Sequence, residues 1–117
     1  MASAESTLVH RIMKALSGAG ARIWRNNQGI AKYPDGATVK YGLCNPGGSD
    51  LVGFFPLKIT SDMVGQTIAA FLAVEVKTPT GRATEAQLHF IEAVRSAGGI
   101  AGVVRGEEEA LRLISLG

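Results

Sequence analysis

Apolar residues return every three or four positions through residues 4–17, at Leu8, Ile12, Ala15 and Leu16, which predicts an opening helix. Ser3 is placed to cap its start and Gly18 to end it. Ala21–Asn26 then alternates, with Ile23 and Arg25 on one face and Arg22, Trp24 and Asn26 on the other, as a strand would. Residues 27–48 break the pattern. Gly29, Pro34, Asp35, Gly36, Gly42, Pro46, Gly47 and Gly48 indicate a long loop or hairpin with little regular structure. A loop of that length inside a small domain is usually functional. Ser49–Phe55 and Ala69–Lys77 read as strands, with a turn or short-helix starter at Thr60-Ser61-Asp62 between them. Thr84-Glu85-Ala86-Gln87 is a capping-box sequence that opens a helix running to about Ala97, stopped by Gly98-Gly99. Ile100–Val104 is a short apolar strand. Glu107–Ser115 is a last helix whose acids suit its N-terminal dipole.

The resulting order is αβββαβα, an α/β fold in one domain spanning residues 1–117. The strand before Thr84, the helix and Ile100–Val104 form a βαβ unit with parallel strands and a right-handed crossover. The earlier strands can pair as antiparallel hairpins. The expected architecture is therefore a mixed central sheet flanked by helices.

Composition narrows the possibilities. With 117 residues, 46% hydrophobic and 19% charged, the chain can fold around one core but cannot hold a Rossmann pair or a TIM barrel. The longest apolar runs, such as Ile68–Val74, fall far short of the roughly 20 residues that span a bilayer. The N-terminus lacks the basic segment and apolar stretch of a signal peptide, so a soluble, cytoplasmic protein is expected, without a membrane partner. Cys44 is the only cysteine, which excludes an internal disulfide. Cys44, His10 and His89 are too few and too scattered for a structural zinc site. No P-loop sequence is present, and no nucleotide cofactor is expected. Any metal would be held by oxygen, which favours Mg²⁺ or Mn²⁺. The net charge of +2 is uneven: residues 106–117 carry −2 and the rest +4, a balance compatible with binding a phosphate backbone.

The candidate chemistry is concentrated in a few places. Phe71–Lys77 is an apolar strand ending in Glu75-Val76-Lys77. Glu75 and Lys77 share one face, Val74 and Val76 the other. Taken alone, Glu75 and Lys77 read as an ion pair at a strand end. In Gly47-Gly48-Ser49-Asp50, an acid opens a strand directly after a glycine pair. Taken alone, Asp50 is a turn residue. Were the two strands neighbours, Asp50 and Glu75 would reach the same rim, where two carboxylates beside a lysine suit a divalent cation and a positioned water. Glu5 is the only acid of the first helix, either a dipole partner or a further ligand. Gln87 is either the capping partner of Thr84 or a group orienting water, phosphate or Lys77. His10 and His89 read as helix-face residues, Cys44 as incidental and Trp24 as packing. An aromatic content of 6% argues against a stacking-based single-strand binder.

Glu5, Gly48-Ser49-Asp50, Glu75-Val76-Lys77 and Gln87 together resemble the PD-(D/E)XK nuclease superfamily, of restriction-endonuclease-like fold. Trp24-Arg25-Asn26-Asn27, Gly48-Ser49-Asp50-Leu51 and Lys77-Thr78-Pro79-Thr80-Gly81-Arg82 make the chain similar to its VRR-NUC (virus-type replication-repair nuclease) family, in a stand-alone, phage-type form. The resemblance implies that Asp50 and Glu75 bind Mg²⁺ or Mn²⁺, joined by the Val76 carbonyl and Glu5. It further implies that Lys77 orients the attacking water or stabilises charge on the phosphate, with support from Gln87. The reaction implied is hydrolysis of DNA phosphodiesters, leaving a 5′-phosphate. Branched or duplex DNA is the implied substrate and a homodimer the implied assembly. Arg25, Lys40 and Arg82 are the candidate phosphate contacts. The rival readings are a non-catalytic nucleic-acid-binding module and an accessory subunit of a phage replication or packaging assembly.

Overall fold

Helix α1 (Ala4–Gly18) starts at a side-chain cap: Ser3 is extended at φ −69° and ψ 162°, and its hydroxyl accepts from the Ser6 N–H at 3.0 Å. The computed structural model describes residues 3–115. They belong to two compact units, Met1–Phe55 and Pro56–Gly117.

In the first unit, α1 packs on β1 (Arg22–Arg25). Val9 is the buried residue of α1, whereas Leu8, Ile12 and Leu16 are exposed. The face turned inward is therefore rotated by about one position from the Leu8–Ile12–Leu16 stripe. The expected irregular segment contains a hairpin, β2 (Gly29–Lys32) paired antiparallel with β3 (Thr38–Tyr41). Its turn has a clear cause: Asp35 Oδ1 accepts from the Ala37 N–H at 2.9 Å, and Gly36 takes a φ of 89° that residues with a Cβ avoid. The hairpin is exposed along nearly its whole length. Beyond it, β4 (Leu51–Phe54) runs antiparallel to β1, with Trp24 opposite Val52 and Arg25 opposite Leu51. The Trp24 and Phe54 rings pack diagonally across this pair, 5.8 Å apart at 50°. Trp24 thus has the packing role expected of it.

The second unit opens with an irregular stretch holding a 3₁₀ turn at Ser61–Met63, where Thr60-Ser61-Asp62 marks a turn or short helix. Next come β5 (Leu72–Val76), α2 (Glu85–Ser96), β6 (Ile100–Val104) and α3 (Glu107–Leu113). Strands β5 and β6 are parallel, with Val76 beside Val104. The expected βαβ pairing is present. Helix α2 begins at the complete Thr84–Gln87 capping box. Its Ile91 and Val94 pack with Ala101 and Val104 of β6 as the buried core of this unit. Val94 is fully enclosed.

Two expectations need correction. The order αβββαβα undercounts the strands, because β2 and β3 form a hairpin in the segment read as a long loop or hairpin with little regular structure. Among the described residues the strands form three two-stranded sheets, β1–β4, β2–β3 and β5–β6, rather than one mixed central sheet. The physical reason is that alternation marks a residue stretch as a strand without naming its neighbour. Among the described residues each strand takes its ladder hydrogen bonds from one partner.

Candidate active site

Strand β5 positions the acid and the lysine. Ala73, Glu75 and Lys77 are half-buried on one face, while Leu72, Val74 and Val76 are exposed on the other. Glu75 Oε2 and Lys77 Nζ lie 3.6 Å apart, with side-chain exposures of 29% and 20%. The half-buried face is the one covered by α2. Ala73, Glu75, Ala86, Gln87, Phe90 and Ile91 line a cavity of about 290 Å³ there, together with Val74. Glu75 and Gln87 are its polar groups, among otherwise apolar walls.

The hydrogen-bond phase of β5 places a further oxygen. The Phe71 carbonyl accepts from the Ile100 N–H at 2.8 Å, and the Lys77 N–H donates to the Val104 carbonyl at 3.0 Å. The odd-numbered residues of β5 therefore face β6. The Val76 carbonyl belongs to the alternate set and faces the opposite edge, where β5 has no strand partner among the described residues. A strand-edge carbonyl free of ladder bonding thus lies between Glu75 and Lys77 in the chain.

Gln87 has the structural role the capping sequence implies. Its Oε1 accepts from the Thr84 N–H at 2.9 Å, and its own N–H donates to Thr84 Oγ1 at 3.1 Å. The cap uses the amide oxygen and leaves the Nε2 donors on a side chain that lines the same cavity as Glu75.

Asp50 lies in the first unit, immediately before β4, and is exposed. Its carbonyl accepts from the Asn26 N–H at 2.8 Å, extending the β1–β4 ladder by one bond. Glu5 is exposed in the first turn of α1. The structure thus gathers Glu75, Val76, Lys77 and Gln87 within the second unit, with Glu5 and Asp50 in the first. Among the described residues no cluster of three or more His, Cys, Asp or Glu is gathered for a metal. The chemistry of the candidate donors, carboxylates and one backbone carbonyl, suits a hard divalent cation better than zinc.

Of the candidate phosphate contacts, Arg25 is exposed at the end of β1 and Lys40 on β3 opposite Ile30. Arg82 is exposed just after a turn closed by the Gly81 N–H on the Thr78 carbonyl at 3.1 Å. Sequence reasoning missed Arg105. Its Nη2 donates to the Gly81 carbonyl at 3.0 Å, tying the end of β6 to the turn that carries Arg82. The parallel pairing held the signal: with Val76 beside Val104, the next residues are Lys77 and Arg105. A pKa perturbation is found away from these residues, at Asp62, whose carboxyl lies below the ordinary 3.8 because the Thr60 hydroxyl donates to it. No described helix is long and apolar enough to cross a membrane.

A family model described as VRR-NUC domain matches residues 10–108, a span that takes in most of both units and begins after Glu5. No curated protein and no solved structure matches the chain.

Proposed function

Because the chain belongs to the VRR-NUC family, a family of PD-(D/E)XK-type nuclease domains that act on DNA, we propose that it is a Mg²⁺- or Mn²⁺-dependent DNA endonuclease selective for branched or junction DNA. The observation that carries the reading is the end of β5. A half-buried Glu75 is paired with Lys77 on the face covered by α2, and the Val76 carbonyl lies on the strand's other edge. In this reading Asp50 is a cation ligand as well as Glu75.

Asp50, Glu75 and the Val76 carbonyl would hold the cation, with Glu5 as a further acid. When bound, the cation supplies Lewis-acid polarisation of the phosphate and lowers the pKa of water. The remaining chemistry belongs to the chain. Lys77 presents an ammonium group to the attacking water or to the charge developing on the phosphate. Gln87 lines the cavity with Glu75, and its Nε2 donors would supply the support while its oxygen stays in the cap. Arg25, Lys40 and Arg82 contact phosphates and set register without reading bases. The chain works as a homodimer in which two centres address two strands. Light scattering at micromolar concentration should give twice the monomer mass of 12.2 kDa, and a monomer would remove that part of the reading.

The deciding experiment offers junction, flap, nicked and linear duplex DNA with Mn²⁺ to the wild type and to Lys77→Ala. Cleavage by the wild type alone, strongest on branched substrates, supports the proposal. Binding without cleavage under any divalent metal would favour the non-catalytic module.

A further inference from the structure

Asp50 ends a glycine-rich loop braced internally by a backbone bond from the Gly48 N–H to the Cys44 carbonyl at 2.6 Å. Residues 42–50 include Gly42, Gly47 and Gly48. Within the same stretch, Cys44 takes a φ of 55°, in the left-handed region that a residue with a Cβ occupies only when its surroundings hold it there. Amide side chains grip the loop on either side of Cys44. Asn26 Nδ2 donates to the carbonyls of Leu43 and Ser49, each at 3.0 Å, and its Oδ1 accepts from the Leu43 N–H at 2.8 Å. Gln28 Nε2 donates to the Gly48 carbonyl at 2.7 Å. Asn45 Nδ2 donates to the carbonyls of Gly29 and Tyr41, each at 2.9 Å, which ties the loop to the β2–β3 hairpin. The Asn26 N–H adds its bond to the Asp50 carbonyl. Asn26 therefore grips both ends of the loop, Leu43 at its start and Ser49-Asp50 at its finish. The fit is close: a Cβ at Gly48 would run into the Leu43 carbonyl oxygen.

The chemistry is specific to an amide. Three backbone groups of the loop face Asn26, two acceptors and one donor, and a carboxamide of this length supplies two donors and one acceptor on a single planar group. An aspartate would set a charged oxygen against two carbonyls. A serine or alanine would remove the bonds to Leu43 and Ser49 and leave the loop to Gln28 and Asn45.

We infer that Asn26, assisted by Gln28, is a positioning residue that sets the Asp50 carboxylate for divalent-cation binding. This rests on the reading of Asp50 as a metal ligand. A loop with this many glycines samples many shapes when released. Apparent affinity falls in proportion to the fraction of molecules in the competent shape. The clamp raises that fraction before any metal arrives.

The test is Mn²⁺ titration calorimetry on the DNA-free full chain, run well below each variant's melting temperature. The proteins are the wild type, Asn26→Ala, Asn26→Asp, Gln28→Ala and Asp50→Asn. Asn26→Ala and Asn26→Asp should weaken Mn²⁺ by about 10- to 100-fold, the usual effect of removing a group that orients a ligand. Gln28→Ala should weaken it less, and it supplies the result if the Asn26 variants do not fold. The Mn²⁺ concentration for half-maximal cleavage should rise by the same factor, with kcat recovered at saturating metal. A residue that only stabilises the fold lowers the melting temperature and leaves Mn²⁺ affinity unchanged; that result in the folded variants overturns the inference. If Asp50→Asn binds Mn²⁺ like the wild type, or the wild type binds none, the reading of Asp50 fails first and the inference falls with it.

Discussion

Lys77 shows how little a single contact says about role. At 3.6 Å and with both partners partly exposed, its pair with Glu75 stabilises the fold by about 0–1 kcal/mol. Stability is therefore a weak reason for a lysine on the half-buried face of β5. Lys77→Ala should leave the melting temperature nearly unchanged. It should lower single-turnover cleavage by about 10²- to 10³-fold, the usual loss when a group that stabilises transition-state charge is removed. Mn²⁺ affinity should persist, because an ammonium group does not ligate a cation. Unchanged turnover would return the pair to an ordinary strand-end contact.

Helix α2 carries a question that belongs to the element. Thr84 and Gln87 close its first turn reciprocally, and Gln87 also lines the cavity beside Glu75. Two substitutions separate these duties. Thr84→Ala should cost about 0.5–2 kcal/mol of stability, as for other N-cap losses, without changing the chemistry of the cavity. Gln87→Glu keeps an acceptor for the Thr84 N–H, since glutamate serves equally well at that position of a capping box. It removes the Nε2 donors and adds a negative charge beside Glu75. Thermal melts should therefore place Gln87→Glu close to the wild type while its cleavage rate falls. A variant that melts early and cleaves normally would confine Gln87 to the cap.

For the molecule as a whole, metal and DNA binding are the properties that test the proposal. A cation that binds only the folded chain stabilises it by about 2.7 kcal/mol at a hundredfold excess over Kd, a rise in Tm on the order of 10 °C for a domain near this size. Asp50→Asn should largely abolish that Mn²⁺-induced rise. Thermal melts of both proteins with and without Mn²⁺ check this. DNA affinity should fall steeply with salt, with a slope of about −0.9 per neutralised phosphate in log K against log salt. Arg82→Ala should flatten that slope by about one. An unchanged slope would make Arg82 a solvated residue beside the Thr78–Gly81 turn.

Local elements were legible in the residues wherever their determinant was local. Ser3 and Thr84 cap α1 and α2 because an N-cap needs only a side chain three residues from its target N–H. Ile100–Val104 is a strand over the residues its apolar run marks. Glu75 and Lys77 share a face because strand side chains alternate. The family, too, was legible, in the ordered residues from Trp24 to Gln87. Contacts between distant segments were decided only by the tertiary structure. The glycines and prolines of residues 27–48 left loop and hairpin both open, and the pairing of Gly29–Lys32 with Thr38–Tyr41 chose the hairpin, since strand partners are not written in alternation. Val9 rather than Leu8 faces inward on α1 because the packed face depends on what the helix meets. Asn26 reads as one more polar residue at a strand end, since its hydrogen bonds reach 17 and 23 residues along the chain. Such bonds depend on where the chain returns after the loop, and no local pattern of residues encodes that return.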